Sequence, residues 1–508
     1  MPTDSRNKRI AKNTFLLYIR MLVMLGISLY TSRIILKALG FVDMGIYNIV
    51  GSIVLFISFI NNSMSIAVQR FLTFDLGKND KGRLNKTFNI SISTHLLIAL
   101  LIFIIAESFG LIFLDKILNI PPDKLNAAIF VFHISIITCC IGIVKVPFNA
   151  IIIAHEKMGI FAYLSIFEVC IALAIALTLP YIGTDRLKAY AVMMMLSSLF
   201  MTTCYCLYCF YRFRDIRFKI VWENKIFKQL IGFASWSAFG ELAWVFTNQG
   251  VNFVLNIFFG PVVNTARGIS YQIQSALMRF VSNFQTAINP QITKRYAAGE
   301  IENLYNLVFR STCFSYYMML FLSLPVILEI HFLLGIWLGE FPPYTAIFCQ
   351  LILINSLIDI ISNLLASVVK AYGKIRKYQI VVSSLLMLNL PLSYITLKFG
   401  APAYTTFLIY GIISATLIVT RLYLLREMMD FPVKHFIKRV IFKLLSTTIF
   451  IVPIPIFIEH IQGNDNITKF IITSLTSVFC TAFIVYRIGL ESNEKEMIKN
   501  NLKRIFHR

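Results

Sequence analysis

Apolar stretches of about twenty residues, separated by short basic segments, recur along the whole chain and leave it few ways to fold. Ser91–Leu114 (SISTHLLIALLIFIIAESFGLIFL) carries one carboxylate, and Ile380–Leu397 (IVVSSLLMLNLPLSYITL) carries no charge. Stretches of about 18 or more such residues suit membrane-spanning helices, because hydrocarbon offers backbone N–H and C=O groups no partners outside the helix itself. Composition agrees: 14% of the residues are charged and the mean hydropathy is +0.74, whereas soluble domains carry about 25% charged residues. The expectation is an all-α, polytopic membrane protein of about fourteen helices.

The expected spans are 15–36, 46–67, 89–114, 127–149, 160–182, 188–210, 230–256, 264–288, 308–336, 344–368, 378–398, 403–424, 440–459 and 467–488. Arg6, Lys8, Arg9 and Lys12 precede the first span, which is too long for a signal-peptide core and has no Ala-x-Ala site after it. That helix is therefore expected to remain as an anchor. An even number of spans puts both termini on one side, and Lys and Arg decide which. With the termini in the cytoplasm, inner segments collect 35 of the 47 basic residues and outer segments 8. The formal charge of +22 is thus topological, with anionic lipids as its natural contact. Nucleic acid is not an expected partner.

Nine cysteines are scattered, mostly inside apolar runs; Cys204, Cys206 and Cys209 have no nearby His or carboxylate and are expected to be reduced and structural. His95, His133 and His331 lie on different spans without metal-ligand spacing. No P-loop, GxSxG or HExxH motif occurs, and no loop is long enough to hold an ATPase domain. Neither enzymatic activity, a cofactor nor a metal is expected.

The chain also repeats itself. Leu39-Gly40 closes the first span and Phe259-Gly260 the seventh; Gly77 follows the second and Gly299 the eighth. Ala154 and Lys157 follow the fourth span as Ala371 and Lys374 follow the tenth, and all three offsets fall between 217 and 222 residues. A six-helix unit keeps its orientation when repeated, which gives parallel repeats about an axis along the membrane normal. The expected organisation is two parallel six-helix lobes, 1–215 and 216–430, with two further helices and a tail in 431–508.

Four segments carry a resemblance to a known family: LGFVDMGIYNIVGS (Leu39–Ser52), RFLTFDLGKND (Arg70–Asp80), NAIIIAHEKM (Asn149–Met158) and NPQITKRYAAGE (Asn289–Glu300). In this order and spacing, over roughly residues 10 to 430, the chain resembles the Wzx-type polysaccharide flippases of the multidrug/oligosaccharidyl-lipid/polysaccharide (MOP) exporter superfamily. The resemblance implies a bacterial inner-membrane protein working by alternating access. Its substrate would be an undecaprenyl-pyrophosphate-linked oligosaccharide repeat unit, flipped for surface polysaccharide synthesis beside a polymerase and glycosyltransferases. Two alternatives stay open, a multidrug or cation antiporter of the same fold and a peptidoglycan lipid-precursor flippase. An integral-membrane glycosyltransferase would need acidic residues and larger extramembrane loops.

By analogy with that family, the first, second, seventh and eighth helices flank a central cavity. Ionisable residues inside spans cost a few kcal/mol and face a partner or water. Arg20, Arg33, Arg267 and Arg279 place guanidinium groups along the supposed path, where a forked donor suits pyrophosphate oxygens; snorkelling to the headgroups is the alternative for those near span ends. Glu241 and Arg279 lie at matched depth, either as a structural ion pair or as a gating or substrate contact. Gln272, Ser275, Arg279 and Asn283 share one helix face, as do Glu241, Asn248 and Asn252 on the preceding helix. Asn61, Asn62, Asn248 and Asn252 are candidates for sugar hydroxyls, or for helix–helix hydrogen bonds. Asp359, with Asn355, Ser362 and Asn363 on its face, is a candidate for a coupling H⁺ or Na⁺, or else a buried acid hydrogen-bonded to its own neighbours. Glu107, Glu168 and Glu329 receive no role.

Overall fold

Each apolar run satisfies its backbone internally, and the computed structural model is accordingly helical, with no strand among the described residues. It describes the backbone of residues 3–57, 60–77, 80–155, 157–183, 185–213, 223–373, 376–461, 467–491 and 495–496, and most side chains from Met21 onward. Residues 3–57 form one helical stretch except at Gly40, whose φ of 79° and ψ of 176° divide it into α1 (3–39) and α2 (41–57, continued by Ile60–Gly77). Asp80 caps α3 (81–116) by accepting from the Arg83 N–H, and a π-helical turn at Ala106–Gly110 interrupts it. Then come α4 (Leu125–Ala154), α5 (Met158–Thr178) and α6 (Arg186–Arg212), the last capped by Asp185. Next, α7 (224–259) contains a π turn at Phe246–Gly250 and ends at Gly260, with φ 75° and ψ −175°. After it come α8 (Pro261–Ala297), α9 (Ile301–Leu328, with a short helix Ile330–Leu338 behind it) and α10 (Thr345–Tyr372). The chain continues as α11 (Arg376–Lys398), α12 (Thr405–Met429), α13 (Val433–Ile461) and α14 (Ile467–Gly489).

Gly40 and Gly260 occupy the same corner of backbone space, one essentially closed to residues with a Cβ. They stand 220 residues apart, at the offset of the sequence repeat.

Twelve stretches among the described residues are long and apolar enough to cross a membrane, against about fourteen expected. The two differences fall at equivalent places in the repeat. The expected second span begins in the same continuous helix as the first, broken only at Gly40. The expected eighth is the full-length helix α8, whose many polar side chains keep it out of the apolar set.

The described chain forms two compact units, Met1–Thr265 and Ala266–Arg508. In the first, one apolar cluster gathers around Phe88, Phe148, Tyr205 and Leu230, and a second around Ile46, Ile49, Phe132 and Tyr190. There α4 packs on α6 and on α3; in the second unit α10 packs on α12 and on α9, the same pairs six helices further on. α7 packs on α2 and belongs to the first unit. These units are defined by packing, whereas the expected lobes 1–215 and 216–430 are defined by repetition of sequence, and the two need not coincide.

Candidate functional site

In the first unit, polar side chains of α2, α7 and the opening turns of α8 form one buried network. The Asn252 amide donates to Ser52 Oγ (2.6 Å) and its Oδ1 accepts from Asn264 Nδ2 (2.8 Å). Asn256 donates to Asn264 Oδ1 (2.8 Å) and accepts from the Asn119 backbone N–H (2.9 Å). Thr265 Oγ1 donates to the Phe41 carbonyl (2.8 Å). Gly45 has no Cβ because one there would collide with the Pro261 carbonyl oxygen. The two positive-φ glycines therefore start α2 and α8 where these helices touch, and asparagines tie the contact. The amide of Asn252, expected among the sugar-binding candidates, is engaged here by the protein itself. Asn248 is buried in the π segment of α7 and donates to the Trp244 carbonyl (3.0 Å). Asn61 Oδ1 is buried without a hydrogen-bond partner. Arg33 is exposed and Glu241 half-buried; the side chains of Arg20 and Asn62 lie outside the described residues.

Two acids left without a role are paired. Glu168 of α5 accepts from Lys145 (2.8 Å), which lies inside α4. Glu107, in the π turn of α3, meets His133 Nδ1 at 2.9 Å. Asp75 at the end of α2 is fully buried, accepts from the Thr87 hydroxyl (2.6 Å) and forms an ion pair with Arg83 Nε (3.1 Å), locking α2 to α3.

In the second unit, polarity concentrates on the facing sides of α8, α10 and α12. Arg267 is buried, donates through Nη2 to the Tyr271 hydroxyl (3.0 Å), and holds its guanidinium 4.4 Å from the centre of that ring. Its Nε has no hydrogen-bond partner, and among the described residues no carboxylate pairs with it. Gln274 donates to Ser356 (3.0 Å), joining α8 to α10. Asp359 of α10 accepts from the Tyr410 hydroxyl of α12 (3.0 Å). Arg421, about three turns beyond Tyr410 on α12, donates to the Ser362 carbonyl (2.8 Å) and lies 5.9 Å from the Tyr378 ring centre. Asn355, expected beside Asp359, instead donates to the Phe407 carbonyl (2.8 Å). Ser275, Arg279 and Asn283 are exposed along α8. Arg279 and Glu241 belong to different units.

Sequence reasoning missed Tyr271, Tyr410 and Arg421. Arg421 falls near the end of the expected span 403–424, whereas α12 runs on to Met429 and makes it interior. The available signal was spacing: Tyr410, Ser414 and Arg421 fall at i, i+4 and i+11, on one helix face.

The MatE family model matches residues 17–178 and again 237–395, two stretches whose starts are 220 residues apart. Among solved structures, an inward-facing multidrug resistance MATE family transporter of the MOP superfamily superposes with a TM-score of 0.68 at 12% identity, covering 81% of this chain and 98% of that one. The lipid II flippase MurJ, inward closed, has the same TM-score at 13% identity, covering 93% and 98%. A MOP-superfamily transporter from Pyrococcus furiosus, described as having a binding pocket of reverse polarity, superposes with a TM-score of 0.60 at 13% identity, covering 84% and 96%. No curated protein sequence matches the chain.

Proposed function

The chain belongs to the MatE family, a multi-pass membrane transporter of the MOP superfamily, and from that premise we propose that it flips an undecaprenyl-pyrophosphate-linked oligosaccharide for surface polysaccharide synthesis in the bacterial inner membrane. The observation that carries this reading is Arg267. A guanidinium buried in a membrane helix, with an aromatic ring for support and no acidic partner among the described residues, is arranged to receive an anion. A pyrophosphate offers oxygens in the geometry that the guanidinium fork matches. Arg20, Arg33 and Arg279 extend the proposed cationic path, with Asn61, Asn62 and Asn248 beside it for hydroxyls. In this reading the two repeats work by alternating access, with both termini in the cytoplasm. The partners are the lipid-linked substrate, a polymerase and glycosyltransferases.

Asp359 favours a second element, coupling to H⁺ or Na⁺. A carboxylate between two membrane helices, hydrogen-bonded by Tyr410, is suited to exchanging a cation. Taken alone, that feature supports a cation-coupled multidrug exporter; the unpaired Arg267 argues against cationic cargo. Deleting the gene separates the two. The flippase reading expects loss of surface glycan with lipid-linked repeat units accumulating on the inner leaflet. Unchanged glycan together with new sensitivity to cationic dyes would overturn it in favour of drug export.

A further inference from the structure

A cleft opens between the ends of α9, α13 and α14 in the second unit, on the side where the loops are most basic. About 470 Å³ of space, part of it open to solvent, is lined by Arg310, Arg439 and Lys443 around a floor that includes the Tyr317 ring. Among the described residues of the lining, three cations face one carboxylate, Glu491, which is held by Arg310 Nη2 at 2.8 Å. Arg439 is left with a long contact to Asn306 Oδ1 (3.4 Å), and Lys443 with no ion pair among the described residues.

Local backbone geometry builds this arrangement. Two of the three helices around the cleft carry a π-helical turn there, Ile437–Ile441 on α13 and Val485–Gly489 on α14. Such turns insert one extra residue and are frequent at functional sites. Arg439 is the central residue of the first, and the backbone carbonyl at that position accepts from the Cys313 thiol of α9 (3.9 Å). The second ends at Gly489, where an added Cβ would press to 3.0 Å from the Tyr317 ring. Phe314, at the cleft itself, and Phe442, Leu445 and Ile488 beyond its lining are exposed and apolar. Cations at the water-side ends of membrane helices, next to an outward apolar surface, present what a phosphate with attached acyl chains requires.

We propose that this cleft binds the phosphate group of an anionic phospholipid in the leaflet on the side of the chain's C-terminal tail. Arg439 and Lys443 contact the phosphate oxygens, and the acyl chains lie along the exposed face of α13. Arg310 is turned toward Glu491, and so Glu491 sets the charge of the cleft and weakens it for anions. The site is separate from Arg267 and Asp359 and does not depend on which substrate the protein carries.

The test uses the full-length protein purified in a neutral detergent, with binding read by native mass spectrometry and by the shift in apparent melting temperature. The probes are phosphatidylglycerol, phosphatidylcholine and soluble glycerol 3-phosphate. Phosphatidylglycerol is expected to bind and stabilise. Arg439→Gln combined with Lys443→Gln is expected to weaken it on the order of tenfold or more, while Glu491→Gln tightens it. The lipid-free melting temperature of the double variant checks that it is folded; should it fall, Lys443→Gln alone carries the comparison. Equal binding of phosphatidylcholine, or an unchanged affinity in the folded variant, would overturn the proposal. So would glycerol 3-phosphate binding as tightly as the lipid, because the cleft would then serve a soluble phosphate.

Discussion

Replacing Gly40 and Gly260 by alanine tests whether the two repeats are built alike. Both residues sit at φ near 75–79° with ψ close to 180°, a conformation that costs an L-residue with a Cβ on the order of 1–3 kcal/mol. The surroundings add nothing: no atom lies within 4 Å of a Cβ built on Gly40, and only Asn119 Nδ2, at 3.9 Å, approaches one on Gly260. The cost is therefore conformational and should be the same at both sites. Gly51 is the control, because it lies inside α2 with equally open space. Alanine there should be neutral or stabilising by roughly 0.5–1 kcal/mol, since glycine is the poorer helix former. Apparent melting temperatures of the three detergent-purified variants provide the readout. Gly40→Ala and Gly260→Ala should fall by similar amounts while Gly51→Ala does not. Wild-type stability in both glycine variants would refute the backbone argument, and a large loss in only one would refute the equivalence of the repeats.

Asp75→Ala should reduce abundance, because it leaves the buried Thr87 hydroxyl without its acceptor and Arg83 without its ion-pair partner, a loss of about 1–3 kcal/mol; quantitative immunoblotting of membranes checks this, and Asp75→Asn should recover part of it. Asp359→Asn preserves an acceptor for Tyr410 but cannot exchange a proton, so abundance should hold while transport in proteoliposomes loses its response to an imposed pH or Na⁺ gradient; retention of that response would rule out Asp359 as the coupling group. The hydrogen bond from Arg310 holds the Glu491 carboxyl below its ordinary range. The stability it contributes is complete above the ordinary carboxylate pKa and is lost as pH falls through the lowered one. Glu491→Gln should thus narrow the melting-temperature difference between pH 7 and the acidic range, and an identical pH profile would contradict this.

The helices were legible because a membrane helix announces itself by apolar length, and the break points because only glycine tolerates the backbone at 40 and 260. Side-chain pairing was less legible. Glu107 meets His133 and Glu168 meets Lys145 across different helices, and one strand of sequence holds no record of which helices adjoin. Arg421, near the end of the expected span 403–424, shows a smaller effect: a few residues at a helix end decide whether a basic residue reads as loop or as interior. Its donation to the Ser362 carbonyl belongs to the packing of α12 on α10. Asn252 shows a different ambiguity. A polar residue facing inward reads equally well as a substrate contact or as a helix tie, and its bonds to Ser52 and Asn264 supply the tie.

The most direct test of the central claim measures flipping of a pyrophosphate-linked oligosaccharide lipid in proteoliposomes, with Arg20, Arg33, Arg267 and Arg279 all changed to glutamine. At wild-type abundance and melting temperature, the account predicts that flipping is lost, and that restoring Arg267 alone recovers part of it. Full flipping by the folded quadruple variant would contradict a cationic path for an anionic lipid substrate.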